Sequence, residues 1–578
     1  YLMGVHTDGA MFASRDLVTW TAPTHVFSMQ NAWTSGESAK DSQIHSCDMH
    51  LVNGRFHLYW SVNYKLETRA IGHAVASSVL GPYREPDPRK PLDYFIDPEL
   101  LVDEDGRYYF YTVKFNDGNV IWGQQMANPG TLRGKPVQLL TSLPDTWEFQ
   151  DEKISEAPCV LRRGDRYYLL YNVNHSGDYF GHYAIGVTEA DRPLGFANSG
   201  KYPFPILSDS LPRVLARSKA LSPVSNDSPT TWAGTEERPD DTWTSPEYID
   251  TAWKPGPGAF GDTAARTPRS VVRSPWIGSD IWLRRHFTLP EKPAGNMQLL
   301  VLHAGPTQVY LNGVPVYESK SSLSGYMAIA LPEPGRAALR TGDNVLAVHS
   351  TRRGERRYVD AGLFDMGNQS STEAIVTNCG QVSVVRGPNG FERWAVYFAI
   401  YNSVRDRSQA IDRLFFFGPE LCIDGPTTKD TPGFHPGPAM PTFRDLFDAE
   451  GPLSGDWSGT SDAWGVRGGE VVVDANTGER TVSLAQPART NYLFEGMLRF
   501  VDSPRGKAGL TLWQNGRDYL RVGLDAARKR GFFERGTPDG IARDDWKLAQ
   551  DVEWTGPHAF RAECNGGVCH VWLGDVRV

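Results

Sequence analysis

The amino-acid sequence predicts an all-β protein, and two observations support this fold class. Helical periodicity is hard to find along the 578 residues, where short β-branched and aromatic runs are broken by Gly, Pro, Asn and Asp. The composition agrees, because 57 Gly and 40 Pro residues accompany 17 Trp and 23 Tyr residues, which favour turns and strands. At roughly 150 residues per domain, a chain of this length is expected to form about three or four domains.

A repeated unit indicates which kind of β-structure to expect. Each copy consists of a strand, a turn of Gly, Asn or Asp, and an aromatic strand, and the copies lie at residues 51–63, 101–115, 160–174 and 384–402. One strand cluster in roughly every 40–50 residues is typical of the blades of a β-propeller. We therefore predict a five-bladed β-propeller, with blades at residues 1–25, 44–88, 95–140, 155–207 and 373–425.

Two further segments predict β-sandwich (jelly-roll) domains. A linker rich in Ser, Pro and small residues follows the fourth blade, and alternating strands with Asn-Gly and Gly-Asp turns come after it. Tightly alternating strands with hairpin turns follow the fifth blade, and we expect this second sandwich to be incomplete at its C-terminal end. The predicted division is propeller at 1–211, inserted sandwich at 212–366, last blade and closure at 367–440, and second sandwich at 441–578.

Charge and hydropathy exclude two classes of partner. The net charge is −9, from 59 basic and 68 acidic residues without long runs, whereas a general nucleic-acid binder needs a basic face. No stretch approaches 18 consecutive apolar residues, so we expect no membrane-spanning helix. Six Cys residues are too few for a disulfide scaffold, and no group of them has the spacing of a zinc site.

One pair of cysteines is informative about the cellular compartment. If Gly566 and Gly567 form a two-residue hairpin turn, Cys564 faces Cys569 on the neighbouring strand, at a separation that a disulfide can span. The alternative is two reduced thiols in a hairpin. A disulfide would imply an exported protein, secreted, periplasmic or at the cell surface.

Three motifs together resemble glycoside hydrolase family 43. They are "FASRDLVTW" at residues 12–20, "YFIDPELLVDEDGRYYFY" at 94–111 and "ISEAPCVLRRGDRYYLLYN" at 154–172. The resemblance implies a catalytic five-bladed propeller that hydrolyses glycosides by inversion and needs no organic cofactor. The inserted segment resembles galactose-binding-like sandwiches, and the C-terminal segment is similar to jelly rolls of the concanavalin or laminin-G kind.

The resemblance implies the roles of two carboxylic acids. Glu156 in "SEAP" matches the family's general acid, which protonates the leaving oxygen, and Asp97 in "FIDP" matches the carboxylate that adjusts the pKa of the acid. The alternative for each is an ordinary turn in which the carboxylate caps a backbone N–H. No Asp in the chain matches the motif of the general base, which we therefore expect upstream of Tyr1.

Five more residues are candidates for substrate or metal binding. Asp48 lies where the family has "W-A-P-[DE]", with Trp and Pro replaced, and is expected at the pocket rim, against a blade turn as the alternative. Arg407 matches an Arg of the last blade that could pair with Glu156 or a sugar hydroxyl, while Trp33 and Phe115 are candidate sugar platforms. The family's calcium-neighbouring His is replaced by Gln381, a neutral oxygen donor, which argues against calcium.

The favoured function is a glycosidase that removes side chains of plant-type polysaccharides or oligosaccharides. The resemblance favours α-L-arabinofuranosides and then β-D-xylosides or galactosides. One alternative is a non-catalytic, carbohydrate-binding protein with a degenerate propeller, which the altered motifs and the unmatched base support. A third hypothesis is a related enzyme that acts on fructosides or mannosides, although its phosphate-binding Arg and His clusters are not found in the sequence.

Overall fold

The structure is a computed structural model, and it confirms the all-β fold class. Strands dominate it, with short α-helices between them. No helix among the described residues is long and apolar enough to cross a membrane. The description covers residues 1–578 apart from 5–8, 29–32, 34–43, 65–67, 151, 177–181, 263–270, 324, 369–371, 403–405, 432–436, 460–463, 474–477, 485–488 and 502–503.

Four antiparallel sheets follow one another in the N-terminal part of the chain. The first contains β1 (Leu2–Met3), β2 (Ala10–Phe12) and β3 (Thr24–His25). The second contains β4 (Ser46–Val52), β5 (Arg55–Tyr64), β6 (Thr68–Ala76) and β7 (Asp93–Tyr94). The third contains β8 (Ile96–Val102), β9 (Tyr108–Phe115), β10 (Asn119–Asn128) and β11 (Thr131–Leu140). The fourth contains β12 (Ser155–Arg163), β13 (Arg166–Val173) and β14 (Ala184–Ala190).

Two short α-helices and two six-stranded sheets lie in the described part of the middle of the chain. The elements are α1 (Leu211–Ala216), β15 (Lys219–Ser222), β16 (Thr231–Thr235), β17 (Lys254–Pro257), β18 (Phe260–Gly261), β19 (Ser274–Pro275), β20 (Asp280–Leu289), β21 (Met297–His303), β22 (Thr307–Leu311), β23 (Val314–Ser319), β24 (Met327–Ala330), α2 (Glu333–Ala338), β25 (Gly342–Thr351) and β26 (Tyr358–Asp365). One sheet has the order β19-β18-β26-β21-β24, with β15 beside β26, and the other β17-β16-β20-β25-β22-β23. An apolar core that includes Trp232, Trp276 and Leu299 lies between them.

A fifth antiparallel sheet, similar to the four in the N-terminal part, follows the inserted segment, and further strands complete the chain. The fifth sheet contains β27 (Val376–Arg386), β28 (Arg393–Tyr401), β29 (Ser408–Phe417) and β30 (Glu420–Ile423). Beyond it lie β31 (Trp457–Gly459), β32 (Trp464–Arg467), β33 (Glu470–Val473), β34 (Val482–Leu484), β35 (Tyr492–Leu498), β36 (Lys507–Asn515), β37 (Asp518–Asp525), β38 (Arg530–Thr537), β39 (Gly540–Lys547), β40 (His558–Asn565), β41 (Val568–Leu573) and β42 (Val576–Arg577). Two four-stranded sheets, β35-β40-β41-β42 and β36-β37-β38-β39, share one apolar core.

Neighbouring sheets pack in chain order, as expected for propeller blades. Shared apolar clusters join the first sheet to the second, the second to the third, the third to the fourth and the fourth to the fifth. Leu17 and Val18 of the first unit face Trp394 of the fifth sheet across a small cavity, which brings the ends of the series together. The first strands β4, β8, β12 and β27 contact one another in the same order.

Tight turns set the strand register that the sequence predicts. Asn53 and Gly54 both have positive φ, at 52° and 83°, as a two-residue hairpin between β4 and β5 requires, and Val52 pairs with Arg55. The Gly566-Gly567 turn works in the same way, and Cys564 and Cys569 pair across it and are joined by a disulfide.

The inserted segment and the C-terminal segment contact opposite ends of the strands of the five sheets. Asn402, which follows β28, hydrogen-bonds to Ala328 of the inserted segment, at the end where β8 and β12 begin. The C-terminal segment contacts the other end, where Arg55 and Glu553 form an ion pair of 2.8 Å. The boundaries 212–366 and 441–578 remain our proposal for these two domains.

The two connections to the inserted segment lie side by side. Glu373, which precedes β27, is fully buried and accepts hydrogen bonds from Arg213 in α1 and Arg217 just after it, at 2.9 and 3.3 Å. Ser210, just before α1, is hydrogen-bonded to Val376 at the start of β27. The chain therefore leaves the fourth sheet and enters the fifth at nearly the same place.

Candidate active site

The two predicted carboxylic acids occupy equivalent positions in neighbouring sheets. Asp97 is the second residue of β8, and Glu156 is the second residue of β12. The pairing register shifts between Ile96 and Glu99 in the first strand and between Glu156 and Cys159 in the second. Each motif has a proline within this irregular stretch, and a proline favours a bulge because it has no N–H for the strand ladder. A bulge redirects the side chains beside it.

A hydrogen bond joins the Asp97 carboxyl group to the backbone of the residue after Glu156. The Asp97 Oδ2 atom accepts from the Ala157 N–H at 2.9 Å, and the Asp97 N–H donates to Ser46 Oγ at 3.1 Å. Asp97 and Ala157 both have left-handed φ angles, 55° and 51°. The Asp97 and Glu156 residues are buried, at 4% and 8% exposure. Three successive first strands, β4, β8 and β12, therefore meet at this pair.

Both oxygens of Glu156 have a hydrogen-bond donor. The Tyr183 hydroxyl donates to Oε1 at 2.8 Å, and the Asn119 Nδ2 donates to Oε2 at 2.8 Å. Tyr183 immediately precedes β14, and Asn119 begins β10, where a bridge to Ile154 brings it close to the start of β12. No motif in the sequence pointed to these two residues, since each comes from a neighbouring strand.

The environment of the pair favours a protonated Glu156. Burial raises the pKa of Glu156 to about 7, and the Asp97 charge adds to this rise, while the donors Tyr183 and Asn119 and the Arg69 charge oppose it. Burial also raises the pKa of Asp97, against the effects of Ser46, Ala157 and Arg69. A carboxylic acid that keeps its proton near neutral pH can act as a general acid.

The cationic side chain of Arg69 and the aromatic ring of Phe115 lie near the two acids. The Arg69 guanidinium, whose charge acts on both Asp97 and Glu156, lies over the ring of Phe115 at 5.0 Å from the centroid. Phe115 is 47% exposed, and its ring meets Phe95 edge-on at 5.7 Å. The structure thus places the predicted platform Phe115 close to the acids, with nearly half of the residue exposed. Sequence reasoning missed Arg69, which belongs to no recognised motif.

Arg407 reaches the site through a stack of rings. Its guanidinium lies over Phe398 at 4.5 Å, Phe398 stacks on Tyr183 at 5.8 Å, and Tyr183 bonds to Glu156. Arg407 also donates to the Ser176 carbonyl oxygen at 2.9 Å. This exposed arginine therefore lies beside the acid's tyrosine partner and bridges the fourth and fifth sheets.

The expectation that Asp48 lines the pocket rim is not met. The Asp48 Oδ2 atom accepts from the Leu100 N–H at 2.7 Å and lies 3.0 Å from His50 Nε2. The Asp48 side chain is only 15% exposed, and burial and the Asp48 charge raise the pKa of Glu99 well above its ordinary value. The physical reason is the position of Asp48 along β4. Ser46, at the start of this strand, contacts Asp97, and Asp48 lies two residues further along.

The prediction that Trp33 is a sugar platform is wrong. The ring is buried, at 6% exposure, stacks on Trp60 at 5.1 Å and donates its Nε1–H to Glu85 at 2.6 Å. It belongs to the apolar cluster between the first and second sheets. A ring covered in this way packs between blades and has no free face for a sugar.

Gln381, the candidate metal ligand, lies in β27. Its backbone N–H donates to Asn172 Oδ1 at 2.9 Å. Among the residues that the structure describes, no group of three or more His, Cys, Asp or Glu side chains could hold a metal ion. The proposed chemistry uses no metal ion.

Comparison with known proteins identifies the part of the chain that carries the acids. Residues 5–214 match the model of glycosyl hydrolases family 43. This segment belongs to that family. The family-43 segment contains the second to fourth sheets in full and, with them, both Asp97 and Glu156. The resemblance that the motifs predicted is thereby confirmed.

Two named relatives match the same region. An extracellular exo-α-(1→5)-L-arabinofuranosidase of Cellvibrio japonicus is 26% identical over 190 residues, which are 29% of this chain and 54% of the relative. A xylosidase/arabinosidase of Bacteroides ovatus is 24% identical over 181 residues, 28% of this chain and 54% of the relative. The chain spans about half the length of these relatives.

Solved structures of the family also align with the chain. The crystal structure of a thermostable family-43 glycoside hydrolase has a TM-score of 0.39 and 18% identity, over 74% of this chain and 88% of that chain. A xylan β-1,4-xylosidase of Bacillus halodurans has a TM-score of 0.36 and 13% identity, over 99% and 88% of the two chains.

Proposed function

We propose that this protein is an inverting glycosidase that removes side chains of plant-type polysaccharides or oligosaccharides, of the α-L-arabinofuranosidase or β-D-xylosidase type. The observation that carries the proposal is the buried pair of Asp97 and Glu156 inside the family-43 segment, with a pKa of about 7 at Glu156. The names of the two relatives support these two classes of sugar.

Glu156 is the general acid in this proposal. Its O–H bond breaks as the proton moves to the glycosidic oxygen, the bond between that oxygen and the sugar carbon breaks, and the oxygen leaves as a hydroxyl group. Water attacks the sugar carbon from the opposite face, where a further carboxylate takes its proton. We do not assign that place to Asp97, because its bond to the N–H of Ala157 puts it beside Glu156, on the side of the acid. It adjusts the pKa of the acid instead.

The groups near the pair are proposed to bind the sugar. Phe115 keeps an exposed face on which a pyranose or furanose ring can stack, since sugar C–H bonds pack well on aromatic rings. Arg69 and Arg407 supply hydrogen-bond donors for sugar hydroxyls on two sides of the acid. No organic cofactor is required for this reaction.

We also propose that the protein works outside the cytoplasm. The disulfide between Cys564 and Cys569 is of a kind that persists in oxidising compartments. The Cellvibrio relative is named as extracellular, and an enzyme for polysaccharide side chains must meet a substrate that does not enter the cell.

The substitution Glu156→Gln tests the acid. Glycosides with poor leaving groups, such as oligosaccharides, should lose about 10²–10⁴-fold in kcat, the usual contribution of general acid catalysis. Dinitrophenyl glycosides should lose far less, because their leaving group needs little protonation. A panel of aryl arabinofuranosides and xylosides, assayed beside arabino- and xylo-oligosaccharides, measures both effects and identifies the sugar.

A matched control and two contrary outcomes complete the test. Glu99→Gln changes a partly buried carboxyl on the same strand as Asp97, one that accepts from the Val160 N–H, and should leave the dependence on leaving group unchanged. An unchanged rate of Glu156→Gln on an oligosaccharide would show that Glu156 is not the acid. If the unmutated protein bound arabinan or xylan and cleaved no glycoside, the carbohydrate-binding alternative would replace the enzyme.

A further inference from the structure

The carboxyl group of Glu156 is held at both oxygens, which is more than its proposed role as an acid requires. Tyr183 donates to Oε1 and Asn119 to Oε2, each at 2.8 Å. An amide nitrogen only donates, so Oε2 accepts from Asn119 whether or not Glu156 is protonated. Two donors from opposite sides fix the plane of the carboxyl group, which a single contact would leave free to rotate.

Tyr183 remains a donor throughout the accessible pH range. Burial, together with the charges of Glu156 and Asp97, holds the pKa of the Tyr183 hydroxyl well above its ordinary value. The side chain has no measurable exposure. Its single proton is therefore available for Oε1 at every pH at which the protein would work.

The fold holds the Tyr183 ring in a closely fitted slot. One face stacks on Phe398, and β27 passes so close that a Cβ atom on Gly380 would lie only 1.9 Å from the ring. Only glycine fits at this position, because no side-chain atom can approach a ring so closely. The hydroxyl group is thus placed by packing from the fifth sheet, although the acid belongs to the fourth.

We propose that Tyr183 and Asn119 are positioning residues of the acid, which aim the proton of Glu156 at the leaving oxygen and stabilise the carboxylate that remains. This inference rests on the proposed function. With one lone pair on each oxygen occupied by a donor, the acid proton must take another direction from the carboxyl group. After transfer, the same two hydrogen bonds favour the charged form, which lowers the energy of the step.

The first test does not depend on activity. In protein labelled with ¹³C at glutamate carboxyls, the Glu156 signal is assigned by its loss in Glu156→Gln, and its titration is followed by NMR. Tyr183→Phe removes a donor to the charged form, so the pKa of Glu156 should rise by about one unit. Asn119→Leu should move it in the same direction.

A buried tyrosine outside the site provides a matched control. The Tyr171 hydroxyl donates to Glu148 at 2.7 Å, and Tyr171 is as fully buried as Tyr183. Tyr171→Phe therefore removes the same kind of hydrogen bond and leaves the Glu156 titration where it is. An unshifted Glu156 titration in Tyr183→Phe, or an equal shift in Tyr171→Phe, would overturn the inference.

The second test separates positioning from a purely structural role. In Tyr183→Phe, kcat for poor leaving groups should fall by about 10–100-fold and the alkaline limb of the pH profile should move to higher pH, while dinitrophenyl glycosides lose less than about threefold. An equal loss for all leaving groups with an unmoved pH profile would contradict the inference. If the unmutated protein cleaves nothing, the proposed function fails, and the NMR titration still decides whether the two donors govern Glu156.

Discussion

Two opposing sets of interactions determine the protonation of Glu156. Burial and the neighbouring Asp97 charge disfavour its carboxylate, whereas Tyr183, Asn119 and Arg69 favour it. Because the first set prevails, the pKa is close to 7, where an acid both holds its proton and releases it readily. Because the Asp97 charge is the second-largest cause of this rise, a change at Asp97 is felt at Glu156.

Asp97→Asn is expected to lower the pKa of Glu156. The substitution removes the second-largest cause of the rise and leaves burial, the largest, in place, so the pKa falls but stays above that of an exposed glutamate. The acid then loses its proton at lower pH, and the alkaline limb of kcat/KM moves to lower pH. A pH profile with an oligosaccharide substrate measures this, and an upward or absent shift would show that Asp97 does not act on the acid.

At the level of strands, the sequence predicts the turns better than the contacts between sheets. The repeated units at 51–63, 101–115, 160–174 and 384–402 correspond to the paired strands β4–β5, β8–β9, β12–β13 and β27–β28, because Gly, Asn and Asp turns fix the local register. The placement of Asp97 and Glu156 at strand starts follows from their Pro-containing motifs.

The misplaced residues show where this reasoning stops. Alternation along β4 assigns a face to Asp48 but does not reveal that Leu100, in the next sheet, presents an N–H to it. Trp33 is aromatic and was a candidate sugar platform, yet which ring covers it depends on packing between two sheets. Tyr183 and Asn119 were missed for the same reason, since their partner lies on another strand.

A buried ion pair joins the third and fourth sheets. Lys201 and Glu148 are each 1% exposed at the side chain and lie 2.6 Å apart, and Lys201 also donates to the Thr141 carbonyl oxygen at 2.8 Å. Tyr171 of β13 donates to the other Glu148 oxygen. Lys201 and Tyr171 thus reach Glu148 from parts of the chain that lie beyond β12, so these contacts help to fix how the two sheets meet.

Lys201→Met should destabilise the protein by about 3–5 kcal/mol, because it leaves the Glu148 charge buried without its cation. Urea unfolding followed by tryptophan fluorescence measures the loss. Lys153→Met is the matched control, since Lys153 pairs with Asp117 at side-chain exposures of 49% and 85%, and exposed pairs contribute about 1 kcal/mol or less. Equal losses of unfolding free energy in the two variants would show that the buried pair stabilises the protein no more than the exposed pair does.

In the whole molecule, the inserted segment and the C-terminal segment lie at different distances from the proposed site. The inserted segment contacts the propeller at the end where Asp97 and Glu156 begin their strands, through Asn402, whose side chain bonds to Ala328 and Ile375. The C-terminal segment contacts the far end, through the turns that follow the first strands. A change in the contact at Asn402 is therefore expected to affect substrate binding. A change in the contact of the C-terminal segment lies at the other end of the strands and is expected to leave substrate binding unaffected.

Two asparagines at opposite ends allow this difference to be tested with the same substitution. Asn402 and Asn53 both have left-handed φ angles, 46° and 52°, which Asp tolerates well. Asn402→Asp replaces the N–H donor to the Ala328 carbonyl with an oxygen, and Asn53→Asp places a second carboxylate beside Asp551, which now accepts from Asn53 at 3.1 Å. Each substitution is expected to weaken one of these two contacts without straining the backbone.

Hydrogen exchange and kinetics together decide the outcome. Asn402→Asp should speed exchange about fivefold in a peptide covering residues 326–331, as expected for one hydrogen bond lost, and should raise KM for oligosaccharides. Asn53→Asp should speed exchange only in a peptide covering 551–556 and leave KM unchanged. Because both variants alter one interdomain contact by the same chemistry, any difference in KM reflects which end of the propeller is disturbed. A rise in KM for Asn53→Asp as large as for Asn402→Asp would contradict the assignment of the substrate to the end where β8 and β12 begin.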